Sequence, residues 1–148
     1  MRFWIEGWVE ISRDVHDPDE TGHWSGVLRV LPLVDGADDF SEAFFGLSKR
    51  AVQDATAPAA RRGLPPDPSH AVQEEMARIA AFEARHGAGE RGGYTYATWE
   101  EIRAFLAASP VTPAEDFRLV LDLMGRIATA RSTVGPPPRV RLVVWYNW

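Results

Sequence analysis

Apolar and polar residues alternate at both ends of the chain with the two-residue period of a β-strand. From Arg2 to Ile11 (RFWIEGWVEI), Phe3, Ile5, Val9 and Ile11 share one face, while Trp4, Glu6, Trp8 and Glu10 share the other. From Arg139 to Trp148 (RVRLVVWYNW), Val140, Leu142, Val144 and Tyr146 oppose Arg139, Arg141, Val143, Trp145 and Asn147. The pattern predicts strands over 2–11 and 139–147, each with one apolar face and one that mixes rings with charges. Burying both apolar faces in one core would place these terminal strands side by side in the middle of a sheet.

The segment between them is mostly helical in period. Ser12 to Gly22 has the Asp, Pro and Gly content of a loop, and strand character resumes over 23–33, giving a long-looped hairpin. Pro32 marks an edge position or a strand end, because it cannot donate to a ladder. A helix is expected over 38–55, from Phe40, Phe44, Leu47 and Ala51, with acids early and Lys49 and Arg50 late; Gly46 weakens it. Thr56 to Pro68 reads as a Pro- and Ala-rich connector. A second helix spans 69–86, with Ser69 as N-cap, a stripe of Val72, Met76, Ile79, Ala80 and Phe82, and Gly87 beyond its end. Residues 87–93 (GAGERGG) read as a mobile loop or lid. Thr98 and Glu101 form a capping box opening a helix over 98–108. Thr112 and Glu115 form another, with Pro113 at the first helical position, for a helix over 113–131 lined by Phe117, Val120, Leu121, Met124, Ile127 and Ala128 and widened by Leu119 and Leu123. Gly135 to Pro138 stops that helix before the last strand. The expected fold is a single α+β domain over 1–148: a small mixed or antiparallel sheet containing both terminal strands, with about four helices packed mainly on one face.

A chain of 148 residues with 45% hydrophobic residues can build a core without covalent staples. It has no cysteine, which excludes disulfides and thiolate-held metals. No 18-residue apolar run is present, and the opening lacks a signal-peptide core, so a soluble, cytoplasmic protein with no membrane partner is expected. The net charge of −5 argues against binding polymeric nucleic acid, which needs a basic stripe. It is compatible with a small nucleotide ligand or with occluding a basic protein.

The mixed strand face is the one surface that could carry chemistry. Trp4, Glu6, Trp8, Arg139, Arg141, Trp145 and Asn147, with Tyr94 and Tyr96 from the segment after the glycine-rich stretch, form the candidate ligand-binding set. Rings can stack on a base, and arginine grips phosphate with two donors. The competing reading is that rings and arginine stems stabilise a half-exposed sheet, or lie under a second layer of helix. Glu6 and Glu10 are four residues apart on a strand, about 13 Å, beyond the ~5–9.5 Å of paired-carboxylate glycosidases. His16 and His23 with Asp14, Asp17, Asp19 and Glu20 lack the ligand order of a calcium loop and read as a solvated hairpin loop. His86 suits the end of its helix. No nucleophile elbow, phosphate loop, dinucleotide fingerprint or zinc-protease motif is present. No catalytic residue, metal site or cofactor is therefore assigned.

Ile5 and Glu10, Phe44 to Leu47, Arg62 to Asp67 with Ser69, Thr98 with Glu100 to Ile102, and Val140 to Tyr146 occur in the order and spacing of an uncharacterised family of phage and bacterial proteins, which the chain resembles. Members open Met-Gly-Cys-Asp-Ile-His and end Val-Arg-Ile-Val-Phe-Trp-Phe-Asp-Asn. Here that opening is replaced by Phe3, Trp4 and Glu6, a His-Ser-rich stretch becomes Gly92 to Tyr96, and the closing Asp-Asn becomes Asn147-Trp148. The resemblance implies a mobile-element origin and brings no activity. The expected function is a non-enzymatic accessory protein that sequesters a small nucleotide-like ligand or a protein partner through the Trp/Arg-rich face, self-association included. The alternatives are a hydrolase of a phosphate ester or glycosidic bond with Glu6 or Glu10 as general base, and a toxin-neutralising immunity protein.

Overall fold

A computed structural model describes residues 3–12, 23–47, 56–89, 91–130 and 137–147. Its elements run β1 (Trp4–Ser12), β2 (Ser25–Arg29), α1 (Asp39–Phe45), α2 (His70–His86), β3 (Arg91–Thr98), α3 (Trp99–Ala108), α4 (Glu115–Ala128) and β4 (Arg139–Asn147). The strands form one antiparallel sheet in the order β2-β1-β4-β3. The terminal strands are therefore its two central members, paired without interruption from Trp4 opposite Asn147 to Ser12 opposite Arg139. This is the α+β arrangement expected from the alternation.

One face of the sheet carries the apolar core. Phe3, Ile5 and Val9 of the first strand segment and Val140, Leu142 and Val144 of β4 are buried against residues of α1, α3 and α4. Phe40 and Phe44 stack at 5.6 Å, and Phe40 meets Phe117 edge-on at 5.2 Å, so α1 and α4 lock through rings as well as area. The fourth helix, α2, lies across the opposite, mixed face. Of its 17 residues only Val72 and Glu75 are buried. The helices thus sit mainly on one face, as expected, with a single polar helix on the other.

Several local expectations are corrected. The glycine-rich stretch is not a free loop up to Gly93: β3 begins at Arg91 and pairs with β4 through a bulge between Gly92 and Thr95. Gly92 lies so close to Tyr146 that a Cβ there would stand 2.6 Å from the phenol oxygen, so glycine, a weak strand former, is what lets this edge pair. The helix expected over 38–55 closes at Phe45. Gly46 takes φ 70°, and the N–H groups of Gly46 and Leu47 return to Glu42 and Ser41 in a Schellman-type stop. Lys49, Arg50 and Ala51 lie outside the described residues, as do His16 with its neighbouring acids and Gly135 and Pro136. The strand expected over 23–33 ends at Arg29, ahead of Pro32.

The Thr112 capping box does not form. α4 starts later, with Ala114 as an N-cap that has no side-chain oxygen to offer. Asp38 explains the shift: its Oδ1 accepts from Ser41 N at 2.8 Å to cap α1, and its Oδ2 accepts from Ala114 N at 2.7 Å. One carboxylate so fixes the entry to two helices. The Ser69 cap and the Thr98 box form where expected: Ser69 Oγ accepts from Val72 N at 3.3 Å, and Thr98 Oγ1 accepts from Glu101 N while Glu101 Oε1 accepts from Thr98 N, both at 3.2 Å.

Gly26 of β2 sets how closely α2 approaches the sheet. A Cβ there would lie 2.7 Å from the Ala71 Cβ and 3.0 Å from the Trp8 ring. Gly26→Val is expected to cost about 1–3 kcal/mol by overpacking, measured by urea unfolding; unchanged stability would mean that α2 does not rest on β2.

Candidate functional site

The β1–β4 register places the mixed faces of both strands on the same side. Trp4 stands opposite Asn147, Glu6 opposite Trp145, Trp8 opposite Val143, and Glu10 opposite Arg141. On the flanks, Arg29 of β2 stands opposite Trp8, and Tyr96 and Arg91 of β3 stand opposite Val143 and Asn147. Much of this face is buried: Trp145 and Glu10 are 0% exposed, Arg141 4% and Glu6 5%. Charges taken from water this completely are tolerated only when paired and hydrogen-bonded.

The pairing falls into three linked groups. At one end, Arg141 donates from Nε to Glu10 Oε1 at 2.6 Å, from Nη1 to Asp67 Oδ1 at 2.8 Å and from Nη2 to the Asp67 carbonyl at 2.8 Å. Glu10 Oε2 accepts from the Ser69 backbone at 2.6 Å. The Trp24 ring covers the Arg141 guanidinium at 3.8 Å, and its Nε1 donates to Asp67. Burial pushes the Asp67 carboxyl up, but the hydrogen bond and charge of Arg141, with the Trp24 indole, outweigh it and hold the group below the ordinary carboxylate range. In the middle, Glu75 of α2 accepts from Trp8 Nε1 on one oxygen and from Arg29 Nη2, at 2.9 Å, on the other. At the far end, Glu6 accepts from Trp145 Nε1 at 2.7 Å, Asn147 Nδ2 at 3.0 Å and Arg91 Nε at 3.2 Å.

No buried side-chain nitrogen or oxygen among the described residues lacks a partner. The face is thus covered by α2 and by its lead-in at Asp67 to Ser69. Trp4, Trp8, Tyr94, Tyr96 and Asn147 are half-buried, and Arg139 is exposed. Tyr94 packs on Trp145 with ring centroids 5.6 Å apart; burial, then the negative charge of Glu83, raises its phenol pKa. Tyr96 lies at the other end, its ring 6.0 Å from the Arg141 guanidinium. The candidate residues are therefore brought onto one face but divide between a closed end around Arg141 and an end around Glu6.

The end around Glu6 is also buried, but a cleft adjoins it. Beneath the C-terminal half of α2 is a cleft of about 190 Å³ lined by Glu6, Arg29, Glu75, Arg78, Ile79, Phe82 and Arg91. Phe82, part of the expected core stripe of its helix, is instead 54% exposed. Sequence reasoning missed Arg29, Asp67, Glu75, Arg78 and Arg91. Glu75 carried a signal: it falls at helical spacing between Val72 and Ile79, an acid inside an apolar stripe. A larger cleft of about 710 Å³ lies beside α4, between Leu33 and Leu119 with Glu115, Asp116, Arg118 and Asp122, and includes none of the candidate residues. Among the described residues no group of three or more His, Cys, Asp or Glu could hold a metal ion. No helix among them is long and apolar enough to cross a membrane.

Comparison with known protein families, with curated proteins and with solved structures found no match.

Trp145→Ala is expected to destabilise the fold by about 3–5 kcal/mol, read by urea unfolding, because it removes a fully buried ring and orphans part of the Glu6 network; a loss under about 1 kcal/mol would mark the ring as peripheral. A second expectation concerns pH. The Arg62 fork, at 2.7 and 3.1 Å, holds the Glu101 carboxyl below the ordinary glutamate value. A lowered folded-state pKa contributes stability that is present above the unfolded value of about 4.3 and is lost as pH falls through the folded value. Arg62→Ala should therefore lower Tm at pH 6 more than at pH 3; an equal effect at both would contradict the linkage.

Proposed function

We propose that this chain is a non-enzymatic binding protein of phage or mobile-element origin that sequesters a small nucleotide-like ligand in the cleft beneath the C-terminal half of α2. The origin rests on the resemblance of its motifs to phage and bacterial proteins. The binding reading rests on one observation: guanidinium groups from three separate elements, Arg29, Arg78 and Arg91, line a cleft edged by the exposed ring of Phe82. Arginine carries five donors. Arg91 donates only Nε to Glu6 and Arg29 only Nη2 to Glu75. Arg78 has no hydrogen-bond or ion-pair partner among the described residues. Donors for an anion are thus available next to a surface on which a base can lie.

The acids argue for binding rather than catalysis. A general base must reach the substrate proton, whereas Glu10 is sealed and both its oxygens are occupied. Glu6 and Glu75 each accept on both oxygens.

Titration of a nucleotide panel, followed by tryptophan fluorescence and calorimetry, tests the reading. A saturable, unhydrolysed ligand is expected, with Arg78→Ala weakening binding about ten- to hundredfold, the worth of one or more charge-assisted hydrogen bonds, and leaving Tm unchanged. Absence of binding by any nucleotide, or turnover of the bound one, would contradict it.

A further inference from the structure

We infer that the cleft selects a singly charged phosphodiester, such as that of a cyclic nucleotide, over the doubly charged phosphate of a linear mononucleotide; the inference rests on the binding reading above and specifies its ligand. The charge balance of the walls carries it. Arg91 is paired with Glu6 at 3.2 Å and Arg29 with Glu75 at 2.9 Å, so two of the three guanidinium charges are already offset inside the cleft. Among the described residues only Arg78 brings to the cleft a charge without a carboxylate partner.

The two carboxylates are fixed in place. Glu6 is held from behind by Trp145 and Asn147, and Glu75 by Trp8. Both are buried, so neither can turn away to make room for a second negative charge on the ligand. A group with one delocalised charge over two non-bridging oxygens balances Arg78 and can still accept from the unused donors of Arg91 and Arg29. A dianion would place its extra charge against Glu6 and Glu75 in a partly desolvated space, where like charges repel strongly. The cleft, at about 190 Å³, is smaller than the ~300–1,000 Å³ of sites that engulf drug-sized ligands. It encloses the phosphate and part of its sugar, leaving the base to lie on Phe82.

The test compares adenosine 3′,5′-cyclic monophosphate, adenosine 5′-monophosphate and adenosine by calorimetry on the full chain, at pH 7.5 and pH 5. The cyclic nucleotide should bind at least tenfold more tightly than the linear one at pH 7.5. The gap should narrow at pH 5, because the linear phosphate takes up a proton near pH 6 and becomes a monoanion while the diester does not change. Arg78→Ala should reduce cyclic nucleotide binding at least tenfold with no change in Tm, and Phe82→Ala should weaken adenosine and the cyclic nucleotide alike. Equal or tighter binding of the linear nucleotide at pH 7.5, or a gap that ignores pH, would overturn the charge argument while leaving the binding reading intact. Binding of adenosine as strong as that of either nucleotide would also overturn it. Failure of all three, and of the wider nucleotide panel, would remove both.

Discussion

Burying a carboxylate costs several kcal/mol unless an opposite charge and well-placed hydrogen bonds replace the lost water. This sheet buries Glu10 on one central strand and Arg141 directly opposite it on the other. Their 2.6 Å contact is therefore a constraint on everything around it. Arg141 still has donors to satisfy, which draws in Asp67. The second oxygen of Glu10 draws in the Ser69 amide, the residue that caps α2. A helix with only two buried residues is thus held on the sheet by polar contacts at its start rather than by an apolar stripe along its length. Removing either partner alone would leave an unpaired charge in the interior, the costly half of any buried ion pair.

That mode of attachment explains why the two ends of the mixed face differ. Near Ser69 the helix is tied down and the face is closed, with Trp24 laid over the guanidinium. Beyond Glu75 no further contact of this kind among the described residues draws the helix inward, and the cleft with its three arginines and the exposed Phe82 lies there. The rings and acids that first suggest a binding surface mostly serve to brace the scaffold. What they brace is the orientation of Arg91 and Arg29. Bracing and spare donors fall in this way to different atoms of one network, since Glu6 and Glu75 use both oxygens on the scaffold while Arg91 gives it only Nε and Arg29 only Nη2.

The amino-acid pattern shows the fold more clearly than the site. Two strands with strict alternation, a Ser69 cap, a Thr98 box and the ring-rich helices are local signals, and local physics decides them. Central pairing of β1 with β4 follows from their apolar faces. What escapes is what depends on distant partners. β3 hides in a glycine run because its pairing energy is supplied by β4, and α4 begins after its apparent cap because Asp38, 76 residues away, takes the Ala114 amide. The site is legible in outline, since Trp4, Glu6, Trp8, Arg141, Trp145 and Asn147 do share a face. It is not legible which of them are covered, because the apolar stripe of α2 points to burial of Met76, Ile79, Ala80 and Phe82, whereas only Val72 and Glu75 of that helix are buried; the acid in line with Val72 is the one trace of the polar contacts that hold it down.

Hydrogen exchange of the indole N–H protons, followed by NMR on indole-¹⁵N-labelled protein, tests most directly whether the mixed face is a closed, carboxylate-braced layer. The Trp145 Nε1–H, bonded to buried Glu6, should exchange only through global unfolding, as slowly as the central amides of β4. The Trp8 Nε1–H should be protected to a lesser degree set by opening of α2, and that of Trp24, whose partner is exposed, should exchange fastest. A Trp145 indole that exchanges as freely as that of Trp24 would contradict the closed layer and return the whole face to solvent.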